Sequence, residues 1–151
     1  MGIFKRSILI LIIFNFVCIN LASAQLLNLK VKERKTVYFK NNSFLVEVAK
    51  TDQEREVGLM FVKDLPANSG MLFIFENETA RSFYMKNMLI PLDIIWMDKD
   101  KKIVFIKKNA QPANFDSYEV IRPDKPAMFV LELNAGKVDM IGLSIGDTLQ
   151  F

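Results

Sequence analysis

The chain has 151 residues, with 20 Lys and Arg, 17 Asp and Glu, one Cys and no His. Without His it can build neither a Ser-His-Asp or Cys-His nucleophile system nor a His-ligated zinc site, so any catalysis must use carboxylates, Lys, Tyr, Ser or Thr. Residues 1–24 carry two of the basic groups and none of the acidic ones, which leaves 18 against 17 and a net charge of +1 for a chain starting at Gln25; that balance gives no electrostatic reason for a nucleic-acid partner.

The first element is an export signal. Lys5 and Arg6 precede an apolar run over 8–21, and Ala22-Ser23-Ala24 supplies the small residues a signal peptidase needs. Cleavage between Ala24 and Gln25 is expected, with a periplasmic or secreted product. The apolar run, interrupted by Asn15 and Asn20, is shorter than the ~20 residues of a spanning helix, so no transmembrane helix remains after cleavage. Cys18 follows Asn15-Phe16-Val17, which is not a lipoprotein pattern, and it leaves with the signal. The mature chain then has no thiol for a disulfide and must be stabilised by packing alone. Its 127 residues suffice for one core.

Residues 25–35, rich in Lys, Glu and Arg, read as a linker or first strand, and 36–151 as a single β-rich domain. Two strands are predicted at 36–40 and 44–49, joined through Asn41-Asn42, with Phe44, Val46 and Val48 on one face. Thr51 and Glu54 form a capping box, and Val57, Met60 and Phe61 lie at helical spacing, so a helix is predicted over 52–61. Gly58 inside it implies a close approach of another group. After a loop at 66–70, strands are predicted at 71–75, 82–86, Leu92–Met97, 102–106 and 128–133, with a polar hairpin turn at 98–101. The continuous apolar run Ile94-Ile95-Trp96 implies a strand covered on both faces. Residues 109–126 contain three prolines and read as one long loop. A helical turn at 136–141 and a last strand ending at Phe151 complete the pattern. The fold class is mainly β, a compact β-barrel or sandwich of short strands with one or two short helices.

Six short pieces carry a resemblance: Arg55-x-x-Gly58-Leu59-Met60, Gly70-Met71-Leu72-Phe73, Phe83-x-Met85-Lys86-Asn87, Ile90-Pro91-Leu92-Asp93, Val130-Leu131-Glu132-Leu133 with Ala135-Gly136, and Gly142 with Gly146-Asp147. In this order they resemble the prokaryotic family of domain of unknown function 192, across nearly all of the mature chain. The resemblance implies a compact β-barrel or sandwich, frequently exported, and implies no reaction. Tyr84 stands where members often carry Trp, Trp96 where Phe is usual, and the match is looser near Lys63.

Strand alternation places Asp93 on a face with Ile95 and Met97, and Glu132 on a face with Met128 and Val130. A carboxylate on an apolar face requires a partner, and Lys86 or Arg55 is expected to provide it. Arg55, Lys86, Asn87, Asp93 and Glu132 are therefore expected to form one polar cluster, either a structural ion-pair network or a ligand site. Two other chemistries are open. Asp93 and Glu132 could act as acid and base of a hydrolase if they face each other across a cleft. Met85 and Met88 could ligate Cu(I) if a turn brings their thioethers to one side; otherwise these methionines simply fill the core. The leading expectation is a non-enzymatic module of the cell envelope, without a cofactor, that binds a small ligand or an envelope protein.

Overall fold

The computed structural model describes residues 32–113 and 120–151. The segment expected to be a signal peptide, Cys18 and the start of the 25–35 segment lie outside the described residues, as does 114–119 of the predicted long loop.

Strand β1 (Arg34–Phe39) and strand β2 (Asn42–Ala49) form the predicted hairpin. Its two-residue turn is Lys40-Asn41 rather than Asn41-Asn42, because Phe39 pairs with Asn42 and Lys40 takes the left-handed backbone (φ 51°). Helix α1 (Asp52–Val57) starts at the capping box: Thr51 Oγ1 accepts from Glu54 N at 3.2 Å and Glu54 Oε2 accepts from Thr51 N at 3.0 Å. The helix stops at Gly58, four residues earlier than predicted from Val57, Met60 and Phe61. Gly58 has φ 49° and caps the helix, and a Cβ there would lie 3.2 Å from the Phe73 ring. The close approach inferred from this glycine is real, and it ends the helix instead of sitting within it.

Strand β3 (Ser69–Thr79) returns parallel to β2 across this helical connection, as a parallel pairing requires. It runs well past the predicted end at 75. Strands β4 (Phe83–Tyr84), β5 (Leu92–Met97), β6 (Ile103–Ala110), β7 (Val120–Ile121) and β8 (Ala127–Asn134) follow, and then helix α2 (Lys137–Ile141). The predicted loop over 109–126 is thus broken by Ala110 at the end of β6 and by β7, which pairs with β4. No strand ends at Phe151; instead single bridges join Tyr38 to Gln150 and Lys102 to Thr148.

Six strands form one sheet in the order β1-β2-β3-β8-β5-β6, and β4-β7 form a second, small one. Of the two expected forms, barrel or sandwich, the fold takes the sandwich and the barrel does not close. The outer strands β1 and β6 are not partners, and the 147–150 segment lies between them, bonding Tyr38 on one side and Lys101 and Ile103 on the other. The fold is sandwich-like, with apolar packing on both faces of the large sheet. One face carries Leu72, Ile95, Met97, Leu131 and Leu133, covered by Val138 of α2, Leu143 and Leu149. The other carries Met71, Phe73, Ile94, Trp96 and Val130, covered by Leu59, Met85, Met88 and Ile121. Strand β5 is buried at all six positions, as its unbroken apolar run implied. Trp96 anchors the second face: its Nε1 donates to Arg81 O at 2.8 Å, and its ring meets Phe83 and Phe105 edge-on.

Candidate functional site

Both carboxylates singled out by alternation are buried, Asp93 to 1 % and Glu132 to 5 % exposure. They do not form one site. In the β5–β8 pairing Asp93 lies opposite Leu133 and Ile94 opposite Glu132. Cross-strand partners point to the same face, so Asp93 and Glu132 point to opposite faces of the sheet. An acid–base pair across a shared cleft is therefore ruled out, and the hydrolase reading goes with it.

Among the described residues Asp93 has no cationic partner, contrary to expectation. Its Oδ1 accepts from Asn109 N at 2.9 Å and its Oδ2 from Val138 N at 2.8 Å. The first donor comes from a bulge in β6, where the register shifts between the Leu92 and Ile94 pairs and Asn109 turns to φ 50°. The second is an orphan N–H in the first turn of α2. Asp93 thus ties the bulge and the helix to the sheet. Lys108 of the same bulge reinforces the contact through an ion pair with Asp139 of α2.

Lys86 and Asn87 sit in an exposed turn, 85–88, closed by a hydrogen bond from Met88 N to Met85 O at 3.3 Å. Lys86 is exposed and lines no part of the cavity described below. Asn87 has a different role. Its carbonyl accepts from Phe61 N at 3.0 Å and its Nδ2 donates to Met60 Sδ at 3.7 Å, so it holds the 58–61 segment in place. Met85 and Met88, the candidate thioether ligands, flank this turn. Both are buried within the apolar packing of the second face, where they fill the core.

Glu132 lies at the floor of a cavity of about 210 Å³, enclosed by α1, the 58–60 turn, β3 and β4. Its cross-strand neighbours, Met71 and Ile94, are apolar. Its Oε2 is buried and has no hydrogen-bond partner among the described residues. Burial alone pushes its carboxyl up to about 8, since no charged side chain compensates. Phe73, Phe83 and Met88 line the inner walls, and Arg55, Ser82 and Tyr84 lie toward the mouth. Arg55 is held by three acceptors: Ile74 O at 2.9 Å, Lys50 O at 2.5 Å and Asp52 Oδ1 at 2.5 Å. Its guanidinium also stacks over Phe75, whose ring lies 4.0 Å from the Arg81 guanidinium as well.

Of the five residues expected to cluster, only Arg55 and Glu132 line this cavity, and Asn87 supports one wall. Ser82, Phe75 and Tyr84 went unrecognised. The available signal was the set of pieces that carried the family resemblance, since Arg55, Gly58, Leu59, Met60, Phe73, Phe83 and Glu132 come from four of them and meet at one cavity.

A model of the family described as an uncharacterized ACR, domain of unknown function 192, matches residues 35–151. The chain belongs to this family. Among curated relatives, UPF0127 proteins of Thermococcus kodakarensis and Thermococcus sibiricus are 28 % and 30 % identical over 108 residues, 70 % of this chain. The chain spans 64 to 65 % of the length of these relatives. Two crystal structures share the fold. One, from Sinorhizobium meliloti 1021 and named as a candidate transcription regulator, is 33 % identical, with a TM-score of 0.74 over 79 % of this chain and 94 % of the other. The second, a protein of unknown function from Novosphingobium aromaticivorans, is 29 % identical, with a TM-score of 0.75 over 82 % and 89 %. Both solved structures share the fold of this chain, and none of these names assigns a reaction.

Proposed function

We propose that this chain is a ligand-binding module of the cell envelope, exported by its N-terminal signal, that takes a small molecule into the cavity above Glu132. The observation that carries this reading is the buried Glu132 carboxyl, one oxygen of which has no partner among the described residues, beside a cavity with apolar inner walls and a polar mouth. A folded protein gains nothing in stability from such a group, which costs about 1–3 kcal/mol as an unmet hydrogen bond. Its retention at the meeting point of four motif pieces fits a site that trades stability for binding. Of the two carboxyls that line the cavity, Glu132 is buried and Glu56 is exposed, so the buried group is the one a bound molecule would desolvate and meet.

The test is a fragment screen on the mature protein followed by ¹H–¹⁵N NMR. Bound fragments are expected to shift the amides of 57–60, 82–84 and 132. Ser82→Trp, a change at an exposed residue of the mouth, should abolish those shifts while leaving the melting temperature unchanged. Fragments that shift only other amides, or binding unaffected by Ser82→Trp, would remove the assignment. The export half is checked separately, by the compartment in which the cleaved chain accumulates.

A further inference from the structure

We infer that the ligand of this cavity presents a neutral hydrogen-bond acceptor, such as an amide or ketone oxygen on a compact apolar body, to the carboxyl group of Glu132. This rests on the binding reading above and specifies its chemistry. Glu132 lines the cavity while only 5 % exposed, and its Oε2 meets no donor or acceptor among the described residues, so the carboxyl beside the cavity is left with unmet hydrogen-bonding capacity. The walls beside it are the side chains of Phe73, Phe83, Leu59 and Met88, which contribute shape and no competing hydrogen bond.

The charge of the complementary group follows from what else faces the cavity. Helix α1 contributes Arg55 and Glu56, β4 contributes the Tyr84 phenol, and β3 and β5 place only apolar residues beside Glu132. Arg55 is committed to Asp52 and two carbonyls at the mouth and does not compensate the buried carboxyl. The carboxyl, raised to about 8 by burial, is therefore protonated at neutral pH and offers an O–H donor. A cationic ligand would have to ionise it first, roughly a tenfold penalty at pH 7, and shed its own hydration. An anionic ligand that reached Glu132 would bring its charge against apolar walls and a neutral carboxyl, with Arg55 at the mouth already held by three acceptors. A neutral acceptor incurs neither cost.

Size narrows the class further. The cavity, at about 210 Å³, is smaller than the ~300–1,000 Å³ of drug-sized sites, so the body is of the order of one aromatic ring or a branched aliphatic group with a short polar arm.

Three matched probes separate the possibilities: phenylacetamide (neutral), 2-phenylethylamine (cation) and phenylacetate (anion), titrated by NMR into the mature protein. Near pH 6, phenylacetamide is expected to bind at least about tenfold tighter than either charged analogue, with shifts at 57–60, 82–84 and 132. Raising the pH to about 9 should weaken it roughly tenfold as Glu132 ionises. Glu132→Gln retains a donor and should keep binding while losing that pH dependence, and Glu132→Leu should lose the preference for the amide. Should the leucine variant fail to fold, the glutamine variant and the pH series still decide the matter. Tighter binding of 2-phenylethylamine, strengthening with rising pH, would overturn this inference while leaving the cavity a binding site. Absence of shifts at these amides with all three probes would overturn both.

Discussion

Replacing Asp93 by Asn tests the account of the first face most directly, because the two side chains have the same shape and differ in what they accept. In the wild type both carboxylate oxygens receive a backbone N–H, from Asn109 at 2.9 Å and Val138 at 2.8 Å, at a position only 1 % exposed. The amide can accept with its oxygen alone. Its NH₂ group must then face the other N–H, leaving one buried donor unmet and setting two donors against each other. A hydrogen bond to a charged group contributes about 1.5–3 kcal/mol, so losing one predicts about 2–3 kcal/mol for Asp93→Asn. Asp93→Ala loses both, or about 3–6 kcal/mol, a large part of the ~5–15 kcal/mol that keeps a domain folded. Urea denaturation of the mature protein measures the loss. Hydrogen exchange locates it: the amides of Asn109 and Val138 should lose protection well before those of β3 or β8. An Asp93→Asn protein within ~0.5 kcal/mol of wild type would refute the reasoning. So would unchanged protection at both amides.

Three further outcomes are expected. Glu132 has a folded-state value near 8, well above its unfolded value of 4.5, so its contribution to stability is fully present below pH 4.5 and declines as the pH rises to about 8; stability of wild type minus Glu132→Gln, measured from pH 4 to 9, should fall across that window and level off above it, and a flat difference would show the carboxyl solvated. Gly70→Ala should destabilise by more than ~3 kcal/mol or prevent folding, because its Cβ would lie 2.3 Å from the Glu132 carbonyl oxygen, a backbone atom that cannot swing aside; a well-folded variant in circular dichroism would contradict the β3–β8 register. Export predicts a mature mass starting at Gln25, and Ala24→Asp should leave the precursor uncleaved on N-terminal sequencing.

The parts of the structure legible in the sequence are those governed by neighbours along the chain. The capping box at Thr51 and Glu54, the turn at 98–101 and the whole of β5 follow from local spacing, and alternation correctly buries both Asp93 and Glu132. The parts that were not legible depend on pairing between distant segments. Alternation gives each strand two faces but not the register with its neighbour, and a shift of one position separates Asp93 from Glu132 across the sheet. The partners of Asp93 are backbone N–H groups, which leave no trace in residue identity, so a cation was expected where Asn109 and Val138 serve. Strand β3 extends through Glu76, Asn77 and Glu78 because pairing resumes at Thr79 with Ala127, not because those residues favour a strand. The cavity itself joins α1, β3, β4 and β8, four elements spread over about eighty residues, and no window along the chain contains it.

The place of β8 in the sheet also sets when this domain can fold. It lies between β3 and β5, so the large sheet has a gap at its centre until residues 127–134 are available. The hairpin of β1 and β2 and the parallel β2–β3 pair can form early, but β5 and β6 can join them only through β8. Closing such distant pairings is slow, because the loop entropy is lost before the contacts are gained. Under the proposed export, a translocation channel that threads extended polypeptide would meet the chain before its core has locked.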